Sequence, residues 1–264
     1  MRNSRIKAKL AQNQPVLLTT LHYPDETIFE MTSLMGFDGI WLDLEHHHHS
    51  VATAERLLRA ARVGASDVMV RPAKGEFMRM SRILECGATG IMYPRCDNVA
   101  EAREVVRWAK FAPQGQRGID AANADNPYCM TPLVDYLKAA NEQTFIVIQI
   151  EDPSALAQVD EIAAVPGVDI IFFGPGDFSI LSGIPGQMNH ELIKDAMRKV
   201  SAAVKRHGKN WGMPIFNTDH AKEVLDLGGR FLCHGADILI LKNGLEAIQK
   251  NFSPLGVTFE RRAS

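Results

Sequence analysis

Eight short apolar runs recur along the chain, and a helical pattern separates each from the next. The runs are Val16–His22, Ile40–Leu44, Val68–Val70, Gly90–Pro94, Phe145–Ile150, Asp169–Phe173, Trp211–Phe216 and Asp237–Leu241. Between them apolar residues return at spacings of three and four. Ile28, Met31, Leu34 and Met35 run up to Gly36, and Val51, Ala54, Leu57, Leu58 and Ala61 follow a capping Ser50. Strands that alternate with helices build βαβ units and a parallel sheet. Such a sheet is covered on both faces, so its strands read as continuous apolar runs. Eight units are the number that closes a barrel. An open doubly wound sheet would carry a glycine-rich turn after its first strand; that turn here is His22-Tyr23-Pro24-Asp25. The spacing therefore predicts an α/β protein, a (β/α)8 TIM barrel, with residues 1–264 as one domain.

Bulk properties agree with that architecture. The chain has 264 residues, close to the roughly 250 that such a barrel needs. Lys and Arg total 29 against 31 Asp and Glu, a net charge of -2. This balance offers no electrostatic footprint for nucleic acid and no polybasic membrane patch. No apolar run approaches the ~18 residues of a membrane helix, and the start Met1-Arg-Asn-Ser-Arg is too polar for a signal peptide. Cys86, Cys96, Cys129 and Cys233 lack metal or redox spacing and read as free thiols of a reducing compartment, so a cytoplasmic protein is expected.

The ends of the strands carry the chemistry. Within Gly36 to His49 an apolar strand runs straight into Asp43, Glu45 and His46. Later strands exit into Arg71, into Gln149 and Glu151, and into Asp177. In a barrel these exits share one face, whatever their distance in sequence. Glu151 and Asp177 together suit a hard divalent ion such as Mg2+ or Mn2+; singly, each also reads as a helix-start or turn acid. Gly174-Pro175-Gly176-Asp177 has the form of a turn whose amides could receive an anion. Arg71 could clamp a carboxylate, or pair structurally with Asp43 or Glu45. Of the four consecutive histidines only His46 continues the strand. A histidine zinc site, which would favour a metal-dependent hydrolase on the same barrel as the alternative, would need His22 or His234, and neither stands beside an evident acid in the sequence. Phe111 to Asn126 reads as a long loop expected over the mouth of the site. Lys242, placed just past the eighth run, is the best lysine for a Schiff-base alternative, and no glycine-flanked serine elbow is present.

These motifs together resemble the class II, metal-dependent pyruvate aldolases of the HpcH/HpaI type, which act on 4-hydroxy-2-keto acids. The resemblance covers nearly the whole chain. It rests on Gly36-Phe-Asp with Asp43-Leu-Glu-His46, on Val70-Arg-Pro72, on Pro113 with Gly115-Gln-Arg-Gly118, on Gln149-Ile-Glu151 and on Gly174-Pro-Gly-Asp-Phe-Ser179. It implies a divalent cation, Mg2+ or Mn2+ with Co2+ or Zn2+ as alternatives, held by Glu151 and Asp177. Gln149, Arg71 and the Gly176 turn would contact pyruvate, with His46 as acid and base. Asp43 and Glu45 would support them, and Glu85 would reach the histidine of a neighbouring subunit. The resemblance also implies exchange of the last helix between partners, in dimers that build a hexamer. Alanine at Arg71 is expected to lower turnover by orders of magnitude and leave folding intact. Two departures, Leu44 at a position often held by glycine and the run His47 to Ser50, lie beside the expected pocket and bear on the aldehyde half of the substrate.

Overall fold

The computed structural model describes residues 2–260. The strands are β1 (Val16–Leu21), β2 (Gly39–Asp43), β3 (Asp67–Arg71), β4 (Gly90–Tyr93), β5 (Phe145–Ile150), β6 (Ile170–Phe173), β7 (Asn210–Pro214) and β8 (Phe231–Ala236). Each pairs in parallel with the next and β8 pairs with β1, so the sheet closes into a barrel that exposes no edge. The helices are α1 (Arg5–Ala11), α2 (Glu26–Leu34), α3 (Val51–Ala60), α4 (Phe77–Glu85), α5 (Val99–Ala109) and α6 (Leu133–Gln143). They continue as α7 (Pro153–Ala157), α8 (Val159–Ala163), α9 (Pro175–Leu181), α10 (Glu191–Arg206), α11 (Thr218–Asp226) and α12 (Asp237–Phe252). No helix among the described residues is long and apolar enough to cross a membrane.

Side chains alternate across each strand and so supply two apolar shells. The inward set fills the barrel: Leu18, Trp41, Met69, Met92, Phe145, Phe172 and Phe231 belong to it. Its rings meet edge to face, Trp41 with Phe172 at 5.7 Å and Phe172 with Phe231 at 6.0 Å between centroids. Each fully buried ring of this kind contributes about 1.5–3 kcal/mol. The outward set, with Leu42, Val70, Ile148 and Phe173, packs under the apolar stripes of the helices.

The amino-terminal helix closes the lower end. Ile6 and Leu10 of α1 join the inner shell, and polar staples hold the helix there. Lys7 reaches Asp169 at 2.8 Å, and Arg5 and Lys9 both reach Asp38. Asp67 accepts hydrogen bonds from the Ser4 hydroxyl and the Ile6 amide at 2.7 and 2.8 Å. Burial pushes the Asp67 carboxyl up to about 6, against those bonds.

Three sequence expectations change. The last strand is Phe231–Ala236, and Asp237-Ile-Leu-Ile-Leu241 opens α12 instead. That continuous apolar run imitates a buried strand, while Ile238, Leu241, Leu245, Ile248 and Phe252 recur at the three-and-four spacing of one helix stripe. The long loop after α5 does not cross the strand ends. It lies on the outer faces of α3 and α4, where Arg62 donates to the Ala124 carbonyl at 3.1 Å and Asp125 takes bonds from Arg117 and Tyr136. The Leu44 side chain enters the outer shell, away from the pocket.

Candidate active site at the strand ends

The carboxyl ends of β1, β2, β3, β5, β6 and β8 deliver polar residues to one face. Arg71, the last residue of β3, lies at the centre. Its Nε donates to Asp43 Oδ1 at 2.9 Å and its Nη2 to Asp43 Oδ2 at 2.6 Å. Its Nη1 reaches Gln149 Oε1 at 3.3 Å and lies 3.1 Å from Glu45 Oε2. The guanidinium sits over the Trp41 ring, 4.7 Å from its centroid. Arg71 is 7% and Asp43 3% exposed, so this is a desolvated, bidentate pair. Burial works to raise the Asp43 carboxyl, yet the bonds and charge of Arg71 hold it below the usual range. Asp43 and Glu45 therefore act first as holders of Arg71.

Gln149 links this cluster to the next. Its side-chain amide donates to Glu151 Oε1 at 2.8 Å, and the Arg95 backbone amide donates to Glu151 Oε2 at 3.1 Å. Arg95 holds a left-handed φ of 46°, a costly conformation for a residue with a side chain, and this aims its amide at the carboxylate. Burial pushes Glu151 up to about 7; Arg71 opposes the rise, and the charges of Asp177 and Glu45 add to it. Asp177 stands in the first turn of α9, so Gly174-Pro-Gly-Asp177 is a helix start and not a free turn. Gly174 is required by space: a Cβ there would come within 2.4 Å of Glu151 Oε1.

Glu45, Glu151 and Asp177 thus share one neighbourhood whose charge Arg71 offsets first, with His46 and Arg95 acting on Glu45 as well. Glu45 Oε2 is buried, with the Arg71 guanidinium 3.1 Å away as its ion-pair partner and no hydrogen bond made to it among the described residues. Such a surplus of acid is what a cation relieves. Among the described residues no group of three or more His, Cys, Asp or Glu stands in a ligating arrangement. A three-ligand zinc cage is therefore not built. Glu151 and Asp177 fit a hard ion that takes its other oxygens from water and substrate.

The histidines divide. His46 is exposed at the rim, its Nε2 3.6 Å from Glu45 Oε2. His47 packs against His22 with ring centroids 4.4 Å apart, and His49 Nε2 donates to the His22 carbonyl at 2.9 Å. His22 does stand beside an acid, contrary to expectation: its Nδ1 is 3.1 Å from Asp237 Oδ1. Glu85 ends α4, five residues before β4 begins, and so lies by the opposite end of the barrel from His46 of its own chain. Burial raises its carboxyl. Lys242 points from α12 to Glu246 at 2.8 Å, exposed and away from the strand ends.

Three site residues escape sequence reasoning. Trp41 reads as one more core residue of a strand, and only barrel curvature puts it under Arg71. Arg95 contributes a backbone amide, which leaves no side-chain signal. Asp237 was hidden by the misplaced last strand, although an acid before a helical stripe is a helix-start signal.

Comparison with known proteins places this geometry. The family model described as HpcH/HpaI aldolase/citrate lyase matches residues 21–243. A 4-hydroxy-2-oxo-heptane-1,7-dioate aldolase of Escherichia coli is 32% identical over 252 residues, 96% of this chain and 95% of that protein. A hydroxypyruvate/pyruvate aldolase of Delftia acidovorans is 30% identical over 236 residues, 89% of this chain and 87% of that one. The crystal structure of an HpcH/HpaI aldolase from Desulfitobacterium hafniense superposes with a TM-score of 0.88 at 28% identity, covering 94% of this chain and 96% of that one. A closed barrel with its acids at the strand ends, matched along almost its whole length, belongs to the HpcH/HpaI aldolase/citrate lyase family.

Proposed function

We propose that this chain is a metal-dependent aldolase that reversibly cleaves a 4-hydroxy-2-keto acid to pyruvate and an aldehyde. The observation that carries the reading is the buried run Asp43–Arg71–Gln149–Glu151 at the strand ends, joined by hydrogen bonds of 2.6–3.3 Å, with Asp177 in the first turn of α9. Glu151 and Asp177 would hold a divalent cation, Mg2+ or Mn2+ first, with Co2+ or Zn2+ as substitutes. When bound, that ion supplies Lewis-acid polarisation to a keto oxygen. The remaining work falls to the chain's own side chains. Arg71, clamped by Asp43, offers a fixed cation where negative charge develops as the carbon–carbon bond breaks. Gln149 orients the keto acid, and the Gly176 backbone, open on its outer side, receives its carboxylate. His46 accepts the proton of the 4-hydroxyl, a task that needs a base of near-neutral strength.

The reading extends to assembly. Ile238, Leu241, Leu245, Ile248 and Phe252 form an α12 stripe between 45 and 53% exposed. A cavity of about 350 Å3, lined by Leu17, Ile215, Ala221, Leu225 and Leu232, opens on the outer face of β1 and β8. An apolar helix and an apolar groove left open in one chain support exchange of α12 between partners, in a dimer and then a hexamer. Free Cys86, Cys96, Cys129 and Cys233 suit the cytoplasm as its compartment.

The test is pyruvate release from a panel of 4-hydroxy-2-keto acids, with chelator and after adding back Mg2+ or Mn2+. Metal-restored release supports the reading; release that survives complete chelation, or none from any member, overturns it. Borohydride with pyruvate separates the Schiff-base alternative, which would be trapped as an inactive adduct.

A further inference from the structure

The aldolase mechanism leaves a second polar cluster at the barrel mouth unused. Asp237, 8% exposed, accepts the backbone amides of His22, Tyr23 and Ile238 at 2.8–2.9 Å as well as the His22 ring at 3.1 Å. Burial alone would raise this carboxyl, but those bonds hold it below the usual range, so it stays ionised. The Asp237 carboxylate makes His22 Nδ1 the donor and leaves Nε2 without a hydrogen-bond partner among the described residues. The His22 ring tilts at 52° against His47, and His47 Nε2 lies 3.9 Å from Asp43 Oδ2, too far for a hydrogen bond. His47 makes no hydrogen bond of its own among the described residues. The two side chains are 20 and 31% exposed, within reach of a ligand and still partly desolvated.

We propose that His22 and His47, with Asp237 fixing the former, form the wall that receives the aldehyde half of the substrate and select an aldehyde carrying hydroxyl groups. The inference rests on the aldolase reading above and names the substrate class within it. His47 follows His46 directly, so the wall adjoins the place where the 4-hydroxyl loses its proton. Acids stand at both ends of the wall, Asp237 and Asp43, and the Arg71 guanidinium is already bound by Asp43 and lies 3.1 Å from Glu45. A carboxylate on the aldehyde therefore meets an acid at each end of the wall and finds Arg71 already engaged. A hydroxyl group, which can both donate and accept, meets the unpartnered Nε2 of His22 and an unpaired edge on His47. A site built to hydrogen-bond a hydroxyl discriminates against the analogue that lacks it.

The experiment measures kcat/KM for aldol addition of pyruvate by the whole Mg2+-loaded protein, with glyceraldehyde, propanal and succinate semialdehyde as acceptors. The native protein is expected to favour glyceraldehyde over each of the others by at least about tenfold, the worth of one hydrogen bond. His22→Phe and His47→Phe keep a ring of similar size and are expected to lose most of that preference. His47→Gln restores a polar edge and is expected to recover part of it, and melting curves check that each variant folds. Equal rates with propanal or succinate semialdehyde in the native protein overturn the inference whatever the variants do. So does full retention of the preference in both folded Phe variants. Deuterium exchange into the methyl group of pyruvate, without any aldehyde, separates the two levels. Exchange without hydroxyl preference sinks this inference alone, whereas absence of both exchange and addition sinks the aldolase reading beneath it.

Discussion

Arg71 grips Asp43 through two nearly parallel hydrogen bonds at 2.9 and 2.6 Å, with both residues buried. The sequence left Asp43 as a candidate acid in its own right; the pairing makes it the group that orients the arginine. Lysine at position 71 keeps the charge but loses the planar fork and the stacking on Trp41. We expect Arg71→Lys to lower kcat/KM on the order of 10²-fold with little change in fold, measured by steady-state pyruvate release. Arg71→Ala is a different case. It leaves Asp43 and Glu45 buried without their partner, and breaking a buried pair costs about 3–5 kcal/mol. Urea unfolding of Arg71→Ala is therefore expected to shift to lower denaturant, a revision of the view that folding would stay intact. An unchanged midpoint would refute it.

Gly174 and Glu151 make a second, purely steric prediction. The added methyl of Gly174→Ala would meet Glu151 Oε1, Cγ and Cδ at 2.4–2.8 Å. The φ of Gly174 is -102°, so backbone strain plays no part. The carboxylate must move or the α9 start must shift. A displacement near 1 Å at a catalytic group costs roughly 10²-fold. Gly174→Ala is expected to fall by that order in kcat/KM and to need more Mg2+ for half-maximal rate. A variant with native metal demand would show that Glu151 is free to sit elsewhere.

At the other end of the barrel, Asp67 ties stability to pH. Its carboxyl rises from 3.8 to about 6 on folding, chiefly through burial. The folded state then binds more protons than the unfolded one between those values, so stability falls as pH rises through that window and the full penalty persists above about 6. A shift of some two units corresponds to on the order of 3 kcal/mol. Asp67→Asn keeps an oxygen for Ser4 and Ile6 and presents its amide towards Thr89. We expect the variant to gain on the native protein between pH 5 and pH 7.5 in urea unfolding. Parallel curves for the two proteins would remove Asp67 from the account.

Much of this site was legible because barrels concentrate function at strand exits. Arg71, Gln149 and Glu151 each end or follow an apolar run, where packing gives no reason for a charge or an amide. Two kinds of information were not legible. Asp237 sits where Ile-Leu-Ile-Leu satisfies a strand and a helix equally, and only the stripe extending to Phe252 decides. The loop after α5 was expected at the mouth because long loops often cover sites; the Arg62–Ala124 and Tyr136–Asp125 bonds instead tie it to the outer helices. Topology fixes that end of α5 far from the strand exits, and topology is a property of the whole chain.

Glu85 gives the test of assembly. It closes α4 near the end of the barrel opposite His46, so the two cannot act together within one chain. If Glu85 of the partner subunit supports His46, each working site draws on two chains, brought together by the exposed α12 stripe and the groove on β1 and β8. Separate preparations of His46→Ala and Glu85→Gln should each be weakly active. After the two are mixed, dissociated and reassembled, activity should return, because a His46 from one variant then meets a Glu85 from the other. Charged residues on the stripe, as in Leu241→Glu with Leu245→Lys, should yield smaller species by light scattering and abolish that recovery. Should the mixture stay as inactive as its parts while reassembling fully, Glu85 serves its own chain's packing and the shared site is wrong.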